Sequence, residues 1–563
     1  MKQKIKDMSK ADIFFFAVFV FSALLFFGRI YTIIMSVHDD MRIYTLVRSG
    51  DLVSNAVHSA KSGRITHLWN HELLGFPFIL NKVWFYKLVS YATTIAGVWA
   101  MWLFVYEHID KHLSWLCAAL YMSLASISAD HNLFISYAFC HQLPLVFIIL
   151  SLHFYLKGIE EKKTRYTVIS TILFLFSCMI YEAFLPYLLV FVLMTARTGN
   201  KQKLPFVKYL WYLFKTVIPH TITGIVYCIV YFTWQHFYPS NYAGTALYLD
   251  EPITSIKATI EYSTSYIPLH DAGRIARMSA QPLMNILGAV PLLGWVKNIL
   301  ICTAFVIFLV KYAEKVEFKG FFLSFVGAVF IPNILISFSK QHLDGYKRGA
   351  IQYVSSYYSY AFIIIILAIF ACLLYRFLKG KNFRIIGTVF MTSILLGLCI
   401  CADLSVTFWN NYYAPLTRRY KNFDRAVATE EVTNCDDKWQ IYAPDNMGIH
   451  AAESYTLDYF AIYDDTPAAS YVLKEDQLVT DKQTLCMRSD KDYLLMAFGE
   501  TDKELAAEEL TVASVLPMKF DVVLRSTTGK EETIKGVSNG DVIKLPDGER
   551  IDMHTQIAVE NYY

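Results

Sequence analysis

Charge is what this chain is short of. Only 18% of its 563 residues are Asp, Glu, Lys or Arg, against about 25% in a soluble protein. The net charge of +3 is too small to argue for a nucleic-acid partner. No Cys-x-x-Cys or His/Cys cluster has zinc spacing. No internal repeat or low-complexity tract is present, and the second half does not mirror the first, which weakens a secondary-transporter reading. No cleavable signal peptide is expected either. The first apolar stretch, Ile13 to about Val37, is too long for a signal core and lacks a small-residue cleavage site. It reads as a first transmembrane helix that stays.

What fills the space is apolar. The chain is 55% hydrophobic and 16% aromatic, with 38 Tyr and 41 Phe, and its mean hydropathy is +0.36. These values exclude one large soluble core and indicate a polytopic membrane protein. Of ten cysteines, eight lie in or near apolar segments, as small packing residues do. Cys435 and Cys486 stand alone in the polar C-terminal part. A disulfide between them is expected if that part faces an oxidising compartment, and two free thiols otherwise.

A bilayer needs about 20 apolar residues per helix. Spans are expected near 12–37, 84–105, 113–129, 133–156, 166–180, 183–196, 216–237, 285–310, 319–338, 357–375 and 385–408, eleven in all. Glu182 and Pro186 interrupt "FLFSCMIYEAFLPYLLVF" and divide the fifth span from the sixth. The segment 285–310 carries Pro291 and Lys297 and reads as a span, a broken helix or an interfacial piece.

Lysine and arginine collect on the cytoplasmic side. The N-terminal tail holds Lys2, Lys4, Lys6 and Lys10, and alternate loops hold "KGIEEKKTR", "ARTGNKQKLPFVK", "KYAEKVEFK" and "YRFLKGKNFR". This alternation puts the N-terminus in the cytoplasm and Asp39, Glu182, loop 238–284, loop 339–352 and everything beyond about Phe408 outside. The fold class expected is therefore mainly α, a bundle of about eleven transmembrane helices over 1–408. Over 409–563 a small extracytoplasmic α+β domain is expected, from the strand-like runs "KWQIYAPD", "DYLLMAFGE", "FDVVLRST" and "GDVIKLPDGERIDM".

Several polar residues stand where chemistry is possible. His38, Asp39 and Asp40 follow the first span directly. A carboxylate at that boundary can act as a general base; one of the pair could equally cap the amphipathic segment "MRIYTLVRSGDLVSNAVHSA", whose Ile43, Leu46, Val47, Val53 and Val57 form a rough stripe. Glu182 lies between two helices of about 15 residues, each only about 22 Å long, which would set it at the floor of a cavity. It could instead pair with Arg29, a cation inside the first span that snorkels or faces inward to an acid. Lys347 and Arg348, with Arg64 and Lys82 in the first outer loop, are potential phosphate donors or plain interfacial anchors. Trp69, with His67, His71 and Glu72, suits a carbohydrate or an interfacial helix. Tyr353, Tyr357, Tyr358 and Tyr360 suit an interfacial aromatic belt, and His131 and His141 read as structural.

The acids right after the first helix (38–40), the long first outer loop (41–82), the "YE" at 181–182 between two short helices and the polar C-terminal part together resemble the C-type (GT-C fold) membrane glycosyltransferases. They are similar in particular to bacterial members that decorate surface polysaccharide, including the O-antigen glucosyltransferases. The chain has no "WWDYG" signature, which argues against an oligosaccharyltransferase. The resemblance implies a polyprenyl-phosphate monosaccharide as donor, a cell-envelope polysaccharide as acceptor and transfer with inversion. It implies Asp39 as base, with Asp40 as the alternative. Some members bind a divalent cation at paired acids; no tightly held metal or other cofactor is expected here. The competing expectations are a transporter or flippase of envelope lipids or glycans, and a non-catalytic scaffold that binds glycan.

Overall fold

The structure is a computed structural model that describes residues 8–34, 36, 38–128, 131–201, 205–240, 244, 247–279, 282–318 and 320–426, and beyond them the strands given below with short flanks. Its helices are α1 (Lys10–Arg29), α2 (His38–Ser49), α3 (Leu52–Ala60), α4 (His67–Gly75), α5 (Val83–His108), α6 (Lys111–Ser123), α7 (Leu143–Glu161), α8 (Thr164–Ile180) and α9 (Leu188–Lys201). They continue with α10 (Phe206–Phe237), α11 (Pro252–Thr264), α12 (Pro268–Met278), α13 (Leu283–Gly288), α14 (Leu292–Lys311), α15 (Phe322–Ser337), α16 (Lys340–Lys347), α17 (Ser356–Phe377) and α18 (Lys381–Ala426). Two compact units result. One comprises Met1–Tyr31 and Leu52–Trp409, the other Thr32–Asp51 and Asn410–Tyr563.

The first unit is helical. Among the described residues eight helices are long and apolar enough to cross a membrane, and Thr164–Ile180 and Phe322–Ser337 are shorter apolar helices. With α6, of 13 residues, each of the eleven expected spans has a counterpart, but several boundaries differ. The first span stops at Arg29. The segment expected as 133–156 begins its helix only at Leu143, where Pro144 occupies a first-turn position that needs no amide donor. The stretch 285–310 is broken into α13 and α14 around Pro291, which supplies no amide to continue a helix. The last span does not end at 408; α18 runs 46 residues, through the expected domain boundary.

Two expectations of the loops also change. The amphipathic segment after the first span is two helices, α2 and α3, separated at Gly50, whose φ of +80° suits glycine alone. Val53 and Val57 face outward, so the apolar stripe does not run through both. The loop 238–284 contains α11 and α12. Pro252 and Pro268 start them, and α11 packs against α15 and α17. There Tyr262 donates to the His342 carbonyl at 2.8 Å and Asn333 donates to Ser263 and Ser359 at 3.0 and 2.9 Å.

The second unit carries the strands β1 (Trp439–Tyr442), β2 (Ser470–Val472), β3 (Gln483–Ser489), β4 (Leu494–Glu500), β5 (Ala506–Ala507), β6 (Glu509–Ser514), β7 (Phe520–Arg525), β8 (Glu531–Val537), β9 (Val542–Lys544), β10 (Ile551–Asp552) and β11 (Gln556–Tyr562). A six-stranded sheet has the order β2-β1-β3-β4-β6-β9, and a three-stranded sheet the order β11-β7-β8. β1 lies parallel to β2 and β3; the remaining pairs are antiparallel. Tyr442, Leu510, Val512, Phe520, Val522 and Leu524 pack in one core. The four strand-like runs thus correspond to β1, β4, β7 and β9 with β10. Cys486 sits opposite Tyr442 in the β1–β3 register, but its side chain, and so its pairing with Cys435, lies outside the described residues.

Candidate functional site

One end of the helical unit gathers polar groups from five separate segments. The turn between α8 and α9 is a 3-10 helix, Glu182–Tyr187, with Pro186 inside it. It keeps the two helices short and leaves Glu182 half-buried. Glu182 forms no ion pair among the described residues. Its carboxylate lies within electrostatic reach of Tyr227 and Tyr231 on α10 and Tyr358 on α17.

The first long loop is fastened around this turn. The last carbonyls of a helix lack intrahelical partners; at the end of α8 the Trp69 indole donates to Met179 O at 2.8 Å and Asn70 donates to Ile180 O at 3.0 Å. Trp69 is thereby a brace for α4, and its N–H is not available to a sugar. Trp234 donates to Ala60 O at 2.8 Å, so the turn after α3 rests on the end of α10. Gly63 has φ +90°, and a Cβ there would come within 2.5 Å of Ser240. This close approach sets Arg64 within electrostatic reach of both Tyr231 and His342.

The segment 131–142 completes the cluster, and it is strained. His131, Tyr137 and Phe139 have φ of 29°, 49° and 71°, conformations costing about 1–3 kcal/mol each for ordinary residues. Neighbours over-determine them. Gln142, fully buried, donates to Leu133 O at 2.7 Å and Thr94 at 3.1 Å and accepts from the Phe139 amide at 3.1 Å. Tyr266 accepts from the Leu133 amide at 3.1 Å. The result is a continuous line of rings. His342 and Tyr353 are 4.1 Å apart, Tyr353 and His131 4.9 Å, Tyr137 and His141 5.3 Å, and His141 and Tyr181 5.7 Å, with His131 Nδ1 and Tyr137 Oη hydrogen-bonded at 2.9 Å. Burial, with His131 and Arg64 nearby, pushes the His342 imidazole down to about 4, so it is neutral at physiological pH. From the sequence His131 and His141 read as structural, because single histidines carry no spacing signal.

The other expected residues fall elsewhere. Arg29 does not pair with Glu182. It donates to Asp403 Oδ1 at 2.8 Å, the Asp403 carbonyl at 3.2 Å and Thr407 at 2.5 Å. Lys297 and Asn298 donate to the same carboxylate at 3.0 Å each. The inward-facing reading of Arg29 holds, with a different acid; Asp403, isolated in the last span, was not anticipated. Lys347 is exposed and pairs with Glu251 at 2.5 Å, which holds the Glu251 carboxyl below its usual range. Arg348 and Lys82 are exposed. Tyr357, Tyr358 and Tyr360 are fully buried. They are core groups, not an interfacial belt: Tyr358 donates to His141 O at 2.9 Å and Tyr360 to Tyr121 O at 2.7 Å.

Asp39 and Asp40 belong to the second unit. They lie inside the first turn of α2, where the helix dipole favours negative charge, and neither is the N-cap. Asp40 is 2% exposed and Asp39 half-buried, so Asp39 is the more accessible of the two. The side chain of His38 lies outside the described residues.

No protein-family model and no curated protein matches the chain. Among solved structures it is similar to the archaeal oligosaccharyltransferase AglB from Archaeoglobus fulgidus, in complex with an inhibitory peptide and a dolichol-phosphate. The match has 11% identity and a TM-score of 0.35, over 96% of this chain and 75% of that one. A second similar structure is the Archaeoglobus fulgidus oligosaccharyltransferase in its apo form, with 9% identity and a TM-score of 0.34, over 96% and 76%.

Proposed function

We propose that the protein is a membrane glycosyltransferase that moves a monosaccharide from a polyprenyl-phosphate donor to a cell-envelope glycan on the extracytoplasmic side. The observation that carries the reading is Glu182. A half-buried carboxylate at the vertex of two short apolar helices, without a cation paired to it among the described residues, is costly unless it serves a ligand. A sugar hydroxyl suits it, and the ring-lined, strained segment beside it suits a sugar face.

In this reading Asp39 takes the proton of the acceptor hydroxyl, with Asp40 as the alternative. The acceptor oxygen attacks the anomeric carbon from the face opposite the phosphate, the bond to the phosphate oxygen breaks, and polyprenyl phosphate leaves with that electron pair; attack from the opposite face inverts the configuration. Arg64 and Arg348 are the proposed donors to the departing phosphate, assisted by Lys82. Lys347 can join them only by leaving Glu251. The scheme needs no tightly held metal, and a chelator arm of the assay tests for a divalent cation.

The experiment is sugar transfer by the purified full-length protein from a radiolabelled polyprenyl-phosphate sugar, with and without EDTA. Transfer lost in Asp39→Ala and in Glu182→Gln, with both variants monodisperse, supports the reading. Lipid movement across vesicles without transfer would make the protein a flippase. Glycan binding without either activity would make it a scaffold.

A further inference from the structure

Helix α12 buries two charged residues beside an apolar one. Asp271, Arg274 and Ile275 form its buried face, while Leu269 on the other side is 62% exposed. Asp271 and Arg274 meet Ser405 and Trp409, which lie one turn apart on α18. Trp409 Nε1 donates to Asp271 Oδ2 at 2.7 Å, and the Arg274 guanidinium lies 5.0 Å from the centre of the Trp409 ring.

The arrangement is incomplete as it stands. Arg274 is 10% exposed, yet its Nε and Nη2 have no hydrogen-bond partner among the described residues. The Ser405 hydroxyl lies against the Asp271 carboxyl. The Arg274 Nη2 to Asp271 Oδ1 separation is 3.4 Å, close enough for attraction and not aligned for a hydrogen bond. Burial raises the Asp271 carboxyl above its usual range despite the neighbouring arginine. Buried polar atoms in native proteins are almost always satisfied. The Arg274 Nε and Nη2 donors, buried without a hydrogen bond among the described residues, therefore point to a further acceptor. Nε and Nη2 form one edge of the guanidinium, the edge that matches two oxygens of an oxyanion. The exposed Leu269 face suits the lipid interface, where the abundant oxyanion is phosphate.

We propose that the Nε–Nη2 edge of Arg274 binds a phosphate group. The site is read from the unsatisfied donors alone and does not depend on glycosyl transfer. Its ligand is a lipid headgroup or free phosphate.

The test is native mass spectrometry of the delipidated full-length protein with polyprenyl phosphate, phosphatidylglycerol or inorganic phosphate, one probe at a time. The wild type is expected to retain at least one probe. Arg274→Lys, which keeps the charge and loses the fork, is expected to weaken that binding about tenfold. Asp271→Asn, which removes a competing acceptor charge, is expected to bind at least as tightly as the wild type. Preference for either lipid over inorganic phosphate identifies a headgroup site, and equal or better binding of inorganic phosphate identifies a free-anion site; both support the proposal. It is overturned if no probe binds the wild type, if Arg274→Lys binds as the wild type does, or if Asp271→Asn loses binding while its melting temperature is unchanged.

Discussion

Arg29 and Asp403, 374 residues apart in the chain, meet at 2.8 Å and join the last turn of the first span to the last span. The carboxylate is shared: Lys297 and Asn298 also donate to it, and Arg29 reaches on to Thr407. Removing the acid would strand the buried Lys297 and the half-buried Arg29. Breaking one side of a buried ion pair typically costs about 3–5 kcal/mol. Asp403→Ala is therefore expected to lose about that much stability in reversible denaturation, with Arg29→Gln losing less because Lys297 remains. The double variant should recover part of the sum. Strict additivity of the two changes would mean the pair is not coupled.

How much of this was readable beforehand depended on contrast within each segment. Arg29 stood out as a cation in an apolar run, with snorkelling and inward pairing both open. Its partner did not follow, since Asp403 in "CADLSV" is an equally isolated charge and sequence separation gives no register between two helices. Glu182 was legible because Pro186 and the short flanking runs fix the turn. The segment "HNLFISYAFCHQL" was not. It reads as a continuation of the following helix, and its left-handed positions fall on His131, Tyr137 and Phe139, with no glycine to mark them. The helices α11 and α12 could have been found: Pro252 and Pro268 each open a helical pattern, a first-turn signal hidden by the polar character of the loop. The tyrosines at 357, 358 and 360 read as a belt because aromatic residues near a span end usually are; packing by α6 and α11 buried them instead.

Gly63 offers a direct probe of the Arg64 position. Its φ of +90° and the 2.5 Å approach to Ser240 Cβ leave no room for a methyl group. Gly63→Ala is expected to destabilise the protein by roughly 1–3 kcal/mol and to move Arg64 away from Tyr231. Transfer activity should fall more than the melting temperature alone explains. An alanine variant with wild-type stability and activity would remove the close approach from the account.

Gln142 is expected to hold the strained segment in place. Replacing it by leucine strands the Leu133 carbonyl and the Phe139 amide, at about 1–3 kcal/mol for each buried group left unmade. Hydrogen exchange should then accelerate at the Phe139 amide before it does in α7 or α8. If exchange rises uniformly, the glutamine stabilises the whole bundle and not the loop.

Acidity should act through His342. Its imidazole titrates near 4 in the folded protein against an ordinary value of 6.5, because burial and the nearby His131 and Arg64 disfavour the cation. The folded state therefore binds fewer protons than the unfolded one. This contribution to stability is fully present above about pH 6.5 and is lost as pH falls toward 4. The shift sets an upper size of roughly 3 kcal/mol, at 1.36 kcal/mol per unit. Carboxylates titrate over part of the same range, so the informative quantity is the gap between wild type and His342→Gln. The glutamine variant is expected to lose less melting temperature between pH 7 and pH 4.5. Parallel curves for the two proteins would mean that the neutral imidazole is not what the fold requires there, and that protonation is absorbed by rearrangement around Tyr353 and Arg64.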